Sequence, residues 1–155
     1  MPKAGFWAIG GYKLSFRTDG HWYADDEVIA NERIALLFSR SVRGDGRGGW
    51  IIDVGIDRQP ATVEDTPLVV VRLSGDPQSG FAVETNDGVR SELDCSTLRI
   101  GRDNVLYCDV DRGERGMMSA RFLRPAYYDL ARWIEEDGSG AALRCKGVQH
   151  RLDSR

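Results

Sequence analysis

Leu68-Val-Val-Val-Arg-Leu73 is the stretch from which the fold of this chain can be worked out. A continuous apolar run rich in valine is typical of a strand that is buried on both faces. Pro67 stands before the run and lacks a backbone N–H, which favours a strand that begins immediately after it. The run therefore predicts a central strand with a neighbour on each side.

Shorter strands are predicted around this run. Residues 12–16 alternate between apolar and polar and lead through Asp19-Gly20 into His21-Trp22-Tyr23, the pattern of a β-hairpin. Asn86-Asp87-Gly88 is a second turn signal. Strands joined by such short turns pair mostly antiparallel. Further strands are predicted at 50–54, 61–64, 81–85, 89–93, 98–100, 105–110 and 142–152.

A first helix is predicted near 31–43. Asn31 is a favourable N-cap and Glu32 places a negative charge in the first turn. The apolar residues that follow recur at the spacing of one helix face, so the helix is amphipathic. These residues are Ile34, Leu37, Phe38 and Val42.

The glycine-rich loop Arg43-Gly-Asp-Gly-Arg-Gly-Gly-Trp50 matches the pattern G-x-G-x-x-G, which raises the question of a phosphate site. In a dinucleotide-binding unit the glycines follow a strand and open a helix, so that N–H groups face the phosphate. Here they follow a predicted helix, whose C-terminal carbonyls repel anions. We interpret the loop as a helix cap at Gly44 followed by a turn.

A second helix is predicted near 125–137, because Pro125 suits the first turn of a helix and Gly138 suits its end. Both helices are followed by Asp-Gly, a glycine-rich link and an apolar strand, which indicates an internal repeat. The fold class expected is α+β, mostly antiparallel, with two β-rich halves at 1–80 and 81–155 that carry one helix each. A groove between the halves would be the natural ligand site.

Composition limits the function classes. The chain has 155 residues, 41% hydrophobic residues and a formal net charge of -3, and its basic residues are scattered among acidic ones. No electrostatic footprint for nucleic acid is visible, so no nucleic-acid partner is expected. The longest apolar run is far too short to span a membrane.

Cysteine usage and the N-terminal sequence predict a cytoplasmic protein. The cysteines at 95, 108 and 145 are odd in number and lack C-x-x-C spacing, so buried reduced thiols are expected. The stretch MPKAGFWAIGGY is broken by glycines and lacks the apolar core of a signal peptide.

Several short motifs, taken in order, resemble a known bacterial family. They are TDGHWYADDEVI (18–29), TVEDTPLVVVRL (62–73), ETNDGV (84–89) and RFLRPAYYDLARW (121–133). In this order they resemble the family called domain of unknown function 1285, over roughly residues 12–152. The chain departs from the family at CKGVQHRL (145–152), where an aromatic, glycine-rich strand is usual.

The resemblance carries expectations about fold and function. It implies a core of two repeated parts, of which the C-terminal part is superficially like a pleckstrin-homology fold. It also implies a site between the parts for a nucleotide-like ligand and a role in signal transduction, with no activity established for the family.

Four candidate ligand-binding residues flank the predicted central strand and second helix. Arg124 offers a planar donor fork at a helix N-terminus, although a salt bridge to Asp65 or another acid would explain it as well. Glu64 and Asp65 either cap the turn before the central strand or accept hydrogen bonds from a ligand. Tyr128 is preferred to Tyr127, which lies on the apolar face of the helix.

Asn86 and Trp22 complete the tentative ligand-binding set, although Trp22 is most simply explained as a core aromatic residue. No catalytic residue and no metal ligand is assigned. The acids near His21, at positions 25–27, resemble a metal cluster, but their place in a turn favours a solvated surface. No cofactor is expected.

Three function classes follow. The first is a non-catalytic module that binds or senses a nucleotide-like anion between its halves, with a role in signalling. The second is a protein-interaction module or homodimer formed through an exposed sheet edge. The third, least favoured, is a metal-assisted hydrolase that uses Asp25, Asp65 or Asp109.

Overall fold

A computed structural model describes residues 11–152, which form two compact units that divide between Pro67 and Leu68. The division lies before the apolar run that begins at Leu68, whereas the sequence placed it between residues 80 and 81. The reason is that the apolar strand finds both of its neighbours in the second unit. Residues 1–10, which contain most of the N-terminal stretch considered for targeting, lie outside the described residues.

The first unit contains six strands and helix α1, Glu32–Ser41. Its sheet has the order β3-β2-β1-β6-β5-β4, and β1 pairs parallel with β6 while the other pairs are antiparallel. The strands are β1 Leu14–Phe16, β2 Trp22–Ala24, β3 Glu27–Val28, β4 Val42–Gly44, β5 Trp50–Asp53 and β6 Arg58–Val63.

The second unit contains a six-stranded sheet, helix α2 (Arg124–Ala131) and a three-stranded sheet. The larger sheet comprises β7 Leu68–Asp76, β8 Gly80–Thr85, β9 Arg90–Glu92, β10 Arg99–Ile100, β11 Leu106–Asp111 and β12 Met117–Phe122. The smaller sheet comprises β13 Ile134–Asp137, β14 Gly140–Cys145 and β15 Val148–Arg151.

Both six-stranded sheets have one topology. The second sheet has the order β10-β11-β12-β7-β8-β9. Adding six to each strand number of the first sheet gives β9-β8-β7-β12-β11-β10, which is the same order read from the opposite edge. In each sheet the first strand pairs parallel with the last. The predicted α+β class with two similar β-rich halves is therefore confirmed.

The helices do not correspond in the way that the sequence suggested. Helix α1 lies between the third and fourth strands of its sheet, and the equivalent position in the second sheet holds the short 3-10 turn Cys95–Thr97. Helix α2 follows the sixth strand and has no equivalent in the first unit. The two Asp-Gly pairs that the sequence suggested as equivalent therefore lie in hairpins at different positions of the two units. Asp45-Gly46 joins β4 to β5, and Asp137-Gly138 joins β13 to β14.

The core of the first unit is an aromatic cluster. Phe16, Trp22 and Phe38 are at most 1% exposed, with ring centroids 5.0 Å apart for Phe16–Trp22 and 5.6 Å apart for Trp22–Phe38. The indole N–H of Trp22 donates a hydrogen bond to the buried hydroxyl of Ser39 at 3.1 Å. The cluster fixes helix α1 against strands β1 and β2, because it contains one ring from each.

The loop after helix α1 is a hairpin turn, and the C-cap of the helix is Val42, whose backbone N–H donates to the carbonyl of Phe38. The helix ends at Ser41, and Val42–Gly44 continues directly as strand β4. Asp45 closes the hairpin to β5, since its carboxylate accepts hydrogen bonds from the backbone N–H groups of Arg47 and Gly49. Those hydrogen bonds lower the pKa of the Asp45 carboxyl. Gly44 is thus a strand residue and not the predicted C-cap.

Helix α2 is shorter than predicted. It ends at Ala131 and not near residue 137, because Ile134–Asp137 forms strand β13 and pairs with Gly140–Leu143 of β14. Ala126 and Leu130 are its buried residues. No helix among residues 11–152 combines the length and the apolar content needed to cross a membrane.

Replacement of Phe16 by alanine should lower the free energy of unfolding by about 3–5 kcal/mol, because it leaves a cavity inside the aromatic cluster. Tyr12→Ala is the matched control, since the Tyr12 side chain is 47% exposed and should contribute within about 0.5 kcal/mol. Urea unfolding followed by tryptophan fluorescence measures both. Equal losses in the two variants would contradict the assigned core.

Candidate functional site

A cavity of about 350 Å³ lies in the second unit, where helix α2 begins. It is enclosed by the turn before β11, the start of β11, the end of β12 and the first turns of α2. The cavity brings two guanidinium groups and two tyrosine rings together. Its lining residues are Asp103, Asn104, Val105, Leu106, Arg121, Phe122, Arg124, Tyr127 and Tyr128.

The position of helix α2 follows from its attachment to the central strand. Leu123, the N-cap residue, donates its backbone N–H to the carbonyl of Val70 in β7. Pro125 lies in the first turn, where its fixed φ favours a helix and its missing donor costs nothing. Arg124 is therefore the first helical residue, at the positive end of the helix dipole.

The opposite wall of the cavity is a strained turn. Asp103 and Asn104 both have positive φ, at 58° and 59°. Asn and Asp are the residue types that adopt this left-handed conformation most readily after glycine. The backbone hydrogen bond from Gly101 to Val105 closes the turn and holds both residues in place. This turn joins the strands predicted at 98–100 and 105–110, and the sequence gave no indication of its part in the cavity wall.

Two arginines, Arg121 and Arg124, and one carboxylate, that of Asp103, line the cavity. The side chain of Arg124 is exposed, and no hydrogen bond or ion pair joins it to another described residue of the second unit. An arginine at the start of a helix, with its donor fork available, is suited to a phosphate or a carboxylate.

The two tyrosines provide aromatic surface beside this charge. Their ring centroids are 5.4 Å apart, and the rings meet edge to face at 66°. Tyr128 is 61% exposed, whereas Tyr127 is half-buried. Both line the cavity, although consecutive residues on a helix point in directions about 100° apart. Tyr128 thus offers the ring with more free surface.

The remaining candidates from the sequence lie elsewhere. Trp22 is buried in the core of the first unit, where its indole N–H donates a hydrogen bond to the hydroxyl of Ser39. Asn86 anchors the central strand, since its side-chain oxygen accepts the N–H of Val69 while its own N–H donates to the Val69 carbonyl. Neither side chain lines the cavity at helix α2.

Glu64 and Asp65 are exposed residues of the first unit. The carboxylate of Glu64 accepts the backbone N–H of Thr18 at 2.8 Å, so it stabilises the turn between β1 and β2 and not the turn before the central strand. It also borders an open recess of about 580 Å³ on the first unit, together with Lys13, Arg17 and Asp25 among others.

The acidic side chains of this recess form hydrogen bonds with other residues of the first unit. Arg17 stacks on the ring of Tyr23 at 3.9 Å and donates to the carboxylate of Asp26. Asp25 has a positive φ of 53° and accepts the backbone N–H of Lys13. Among residues 11–152, no three or more His, Cys, Asp or Glu side chains are grouped so that they could hold a metal ion.

A buried ionic cluster in the second unit was not foreseen from the sequence. The side chains of Asp87 and Arg112 are 0% and 6% exposed, and Arg112 Nε lies 2.7 Å from Asp87 Oδ2. Arg115 donates to the same oxygen at 3.1 Å. The hydroxyl of Thr85 bonds to both Asp87 and Arg112. The cluster fastens the turn after β8 to the turn after β11.

The charge state of this cluster follows from competing effects. Burial alone would raise the pKa of the Asp87 carboxyl, but hydrogen bonds from Arg112 and Thr85 and the charge of Arg112 hold it below its usual value. Asp87 is thus a carboxylate paired with two guanidinium groups. Burial lowers the pKa of Arg115, and Asp87 opposes that effect.

Two solved structures share the fold of this chain. A crystal structure of a DUF1285 family protein from Silicibacter pomeroyi DSS-3 has a TM-score of 0.74 at 19% identity, covering 91% of this chain and 79% of that chain. A DUF1285 family protein from Shewanella baltica OS155 has a TM-score of 0.60 at 20% identity, covering 79% of this chain and 93% of that chain.

No family model matches the sequence, and no curated protein matches it. At these identities the two structures show the fold alone. The resemblance seen in the sequence motifs is therefore confirmed as a DUF1285-like fold.

Asp87→Asn should lower the free energy of unfolding at pH 7 by about 3–5 kcal/mol, because it leaves two guanidinium groups without their buried counter-charge. Asp26→Asn is the control, since the Asp26 side chain is 99% exposed and its ion pair with Arg17 should contribute at most about 1 kcal/mol. Urea unfolding of the three proteins measures the difference.

The pH dependence tests the same pair. The pKa of Asp87 is lowered in the folded protein, so its stabilising effect is complete above the unfolded value of about 3.9 and is lost as pH falls through the folded value. The stability gap between wild type and Asp87→Asn should therefore narrow below about pH 4. A gap that stayed constant from pH 7 to pH 3 would show that the Asp87 charge contributes nothing.

Proposed function

We propose that this protein is a non-catalytic binding module, and that its second unit holds a small, nucleotide-like anion in the cavity at the start of helix α2. The observation that carries the proposal is the position of Arg124. It is the first residue of the helix and shares the cavity with Arg121 and two tyrosine rings.

The anionic part of the ligand would bind at the helix N-terminus. Unpaired N–H groups of the first turn give that end a partial positive charge, and a guanidinium adds a full charge with two parallel donors. The N-cap residue Leu123 has no side chain that could take an N–H of the first turn. A phosphate oxygen would supply the missing acceptors.

The planar part of the ligand would contact Tyr128. An exposed aromatic ring beside a phosphate site is suited to stacking on a base or another flat ring. The volume of about 350 Å³ lies in the lower part of the range for ligand pockets, which is roughly 300–1,000 Å³. A phosphate joined to one ring system is the class of ligand that matches these dimensions.

A signalling role is part of the proposal. A module that binds a phosphorylated metabolite with no catalytic group at the site can report the concentration of that metabolite to a partner. The pleckstrin-homology likeness of the second unit, expected from the motif resemblance, remains a prediction.

Arg124→Ala should weaken the binding of phosphorylated ligands at least tenfold, because it removes a charge-assisted interaction of about 1.5–3 kcal/mol. Thermal-shift screening and calorimetric titration with nucleoside monophosphates, nucleoside diphosphates and sugar phosphates measure this loss. Arg33→Ala is the matched control, since Arg33 lies in the first turn of helix α1 and does not line the cavity. A loss of equal size in both variants would point to a nonspecific charge effect.

Tyr128→Ala separates the two parts of the ligand. This substitution should lower the binding affinity for ligands that carry a flat ring, and it should leave the lower affinity for inorganic phosphate unchanged. If no ligand of the panel stabilises the wild-type protein at millimolar concentration, the binding proposal is wrong.

A further inference from the structure

The short turn before strand β11 brings two polar side chains to the cavity at helix α2, those of Asp103 and Asn104. Their chemistry differs from that of Arg124 at the start of the helix. A guanidinium offers only hydrogen-bond donors, a carboxylate offers only acceptors, and an amide offers both. The turn and the helix start are therefore suited to different parts of one ligand.

The polar side chains of this turn are not used within the fold of the second unit. No hydrogen bond or ion pair joins the side chain of Asp103 or Asn104 to another described residue of that unit, and both residues are exposed. The carboxylates of Asp76 and Asp94, in other turns of the same unit, instead accept backbone N–H groups of their own turns. The carboxylate of Asp103 is thus available to a ligand.

The backbone holds the turn in place without these side chains. The N–H of Gly101 donates to the carbonyl of Val105 at 2.8 Å, and the N–H of Val105 donates to the carbonyl of Arg102 at 3.2 Å. Gly101 also lies against the ring of Tyr107 in strand β11, where an added Cβ would come within 2.9 Å of a ring carbon. Both polar side chains therefore project from a fixed backbone.

The left-handed backbone makes the residue types in this turn informative. Four described residues other than glycine have a positive φ, and two of them, Asp103 and Asn104, are neighbours. Glycine adopts this conformation without the steric cost that a Cβ brings. Asp and Asn adopt it next most readily, often with a hydrogen bond from the side chain to nearby backbone. Since these two side chains form no such bond, glycine would serve the turn equally well.

We propose that Asp103 determines the ligand specificity of this cavity, by accepting two adjacent hydrogen-bond donors from the part of the ligand that does not carry the phosphate. This inference rests on the proposed function, in which Arg124 binds the phosphate. A carboxylate repels phosphate oxygens, so Asp103 directs the phosphate to the arginines and the neutral part of the ligand to the turn. Two adjacent donors match the two oxygens of one carboxylate.

Two parts of a nucleotide carry such a pair of donors. In guanine the ring N–H and the exocyclic amino group lie side by side, and in ribose the 2′- and 3′-hydroxyls do. A site that binds a donor pair rejects a ligand without it, because its own acceptors are left unpaired. Asp103 is exposed, so water can solvate an unpaired carboxylate and the expected discrimination is only about tenfold.

Calorimetric titration of the full chain with nucleoside monophosphates tests the inference. If guanine supplies the donors, the wild type should bind GMP at least about tenfold more tightly than AMP. If ribose supplies them, it should bind both ribonucleotides at least about tenfold more tightly than their 2′,3′-dideoxy forms. Asp103→Asn keeps the shape of the side chain but exchanges one acceptor for a donor, so it should reduce either preference to less than about threefold. Equal binding of all these ligands by the wild type would overturn the inference.

The same variant should gain affinity for a ligand with a phosphate at each end. Nucleoside 3′,5′-bisphosphates should bind the wild type more weakly than the 5′-monophosphates, and Asp103→Asn should remove that difference. Asp25→Asn is the matched control, because Asp25 is exposed and has a similar φ of 53° but does not line the cavity. The control should leave every affinity within about twofold of the wild type.

Asp103→Gly separates a ligand contact from a role in folding. Its ligand preference should be lost, while its melting temperature should stay within about 2 °C of the wild type. The reason is that relief of the left-handed backbone offsets the greater freedom of the unfolded chain. A fall of more than about 5 °C would assign the side chain to the fold and contradict the inference.

Failure of the inference and failure of the proposed function give different results. If Arg124→Ala weakens nucleotide binding and Asp103→Asn leaves every affinity within about twofold, the specificity role is wrong and the binding function stands. If none of the nucleotides binds the wild-type protein, both are wrong.

Discussion

The parallel pairing of the first and last strands is the constraint on which each six-stranded sheet depends. All other pairs in these sheets are antiparallel and join strands that are consecutive in the chain, so they form locally. The pairs β1–β6 and β7–β12 instead bring together the two ends of a long segment. Their closure must be compensated by burial, and Leu68, Val69 and Val70 are at most 1% exposed. The apolar run of the sequence is thus the strand that closes its sheet.

The same pairing positions the candidate site. Strand β12 lies beside β7, and Leu123 continues the contact by donating its N–H to Val70. Helix α2 therefore begins at a fixed point at the end of the central strand, and Arg124 is its first residue. On the other side of β7, the side chain of Asn86 binds the N–H of Val69. Asn86, a candidate ligand residue from the sequence, therefore fixes the strand that supports the site.

Local signals allowed most strands and both helix starts to be predicted, and failed where pairing is decided at a distance. Strand β12 was missed although Met118, Ala120 and Phe122 alternate along it. The second helix was extended too far because Ile134 continues its apolar spacing, whereas pairing with Leu143 of β14 makes that residue part of a strand. Arg124 and Tyr128 could be named together because they share one helix. Asp87 could not, since Arg112 and Arg115 reach it from another turn.

The contrast between the two arginine groups of the second unit explains why one is structural and the other a candidate site. Arg112 and Arg115 converge on Asp87, which is fully buried, so their donors are used within the fold. Removal of such a pair from water is costly, and it is tolerated because Thr85 and the carboxylate satisfy the guanidinium groups. Arg124 lies at the surface and at the positive end of a helix, where water can solvate its charge and no described residue of the second unit pairs with its side chain. In the proposed site, a phosphate that displaced this water would meet donors already in position, so the proposed binding would need no rearrangement of the backbone.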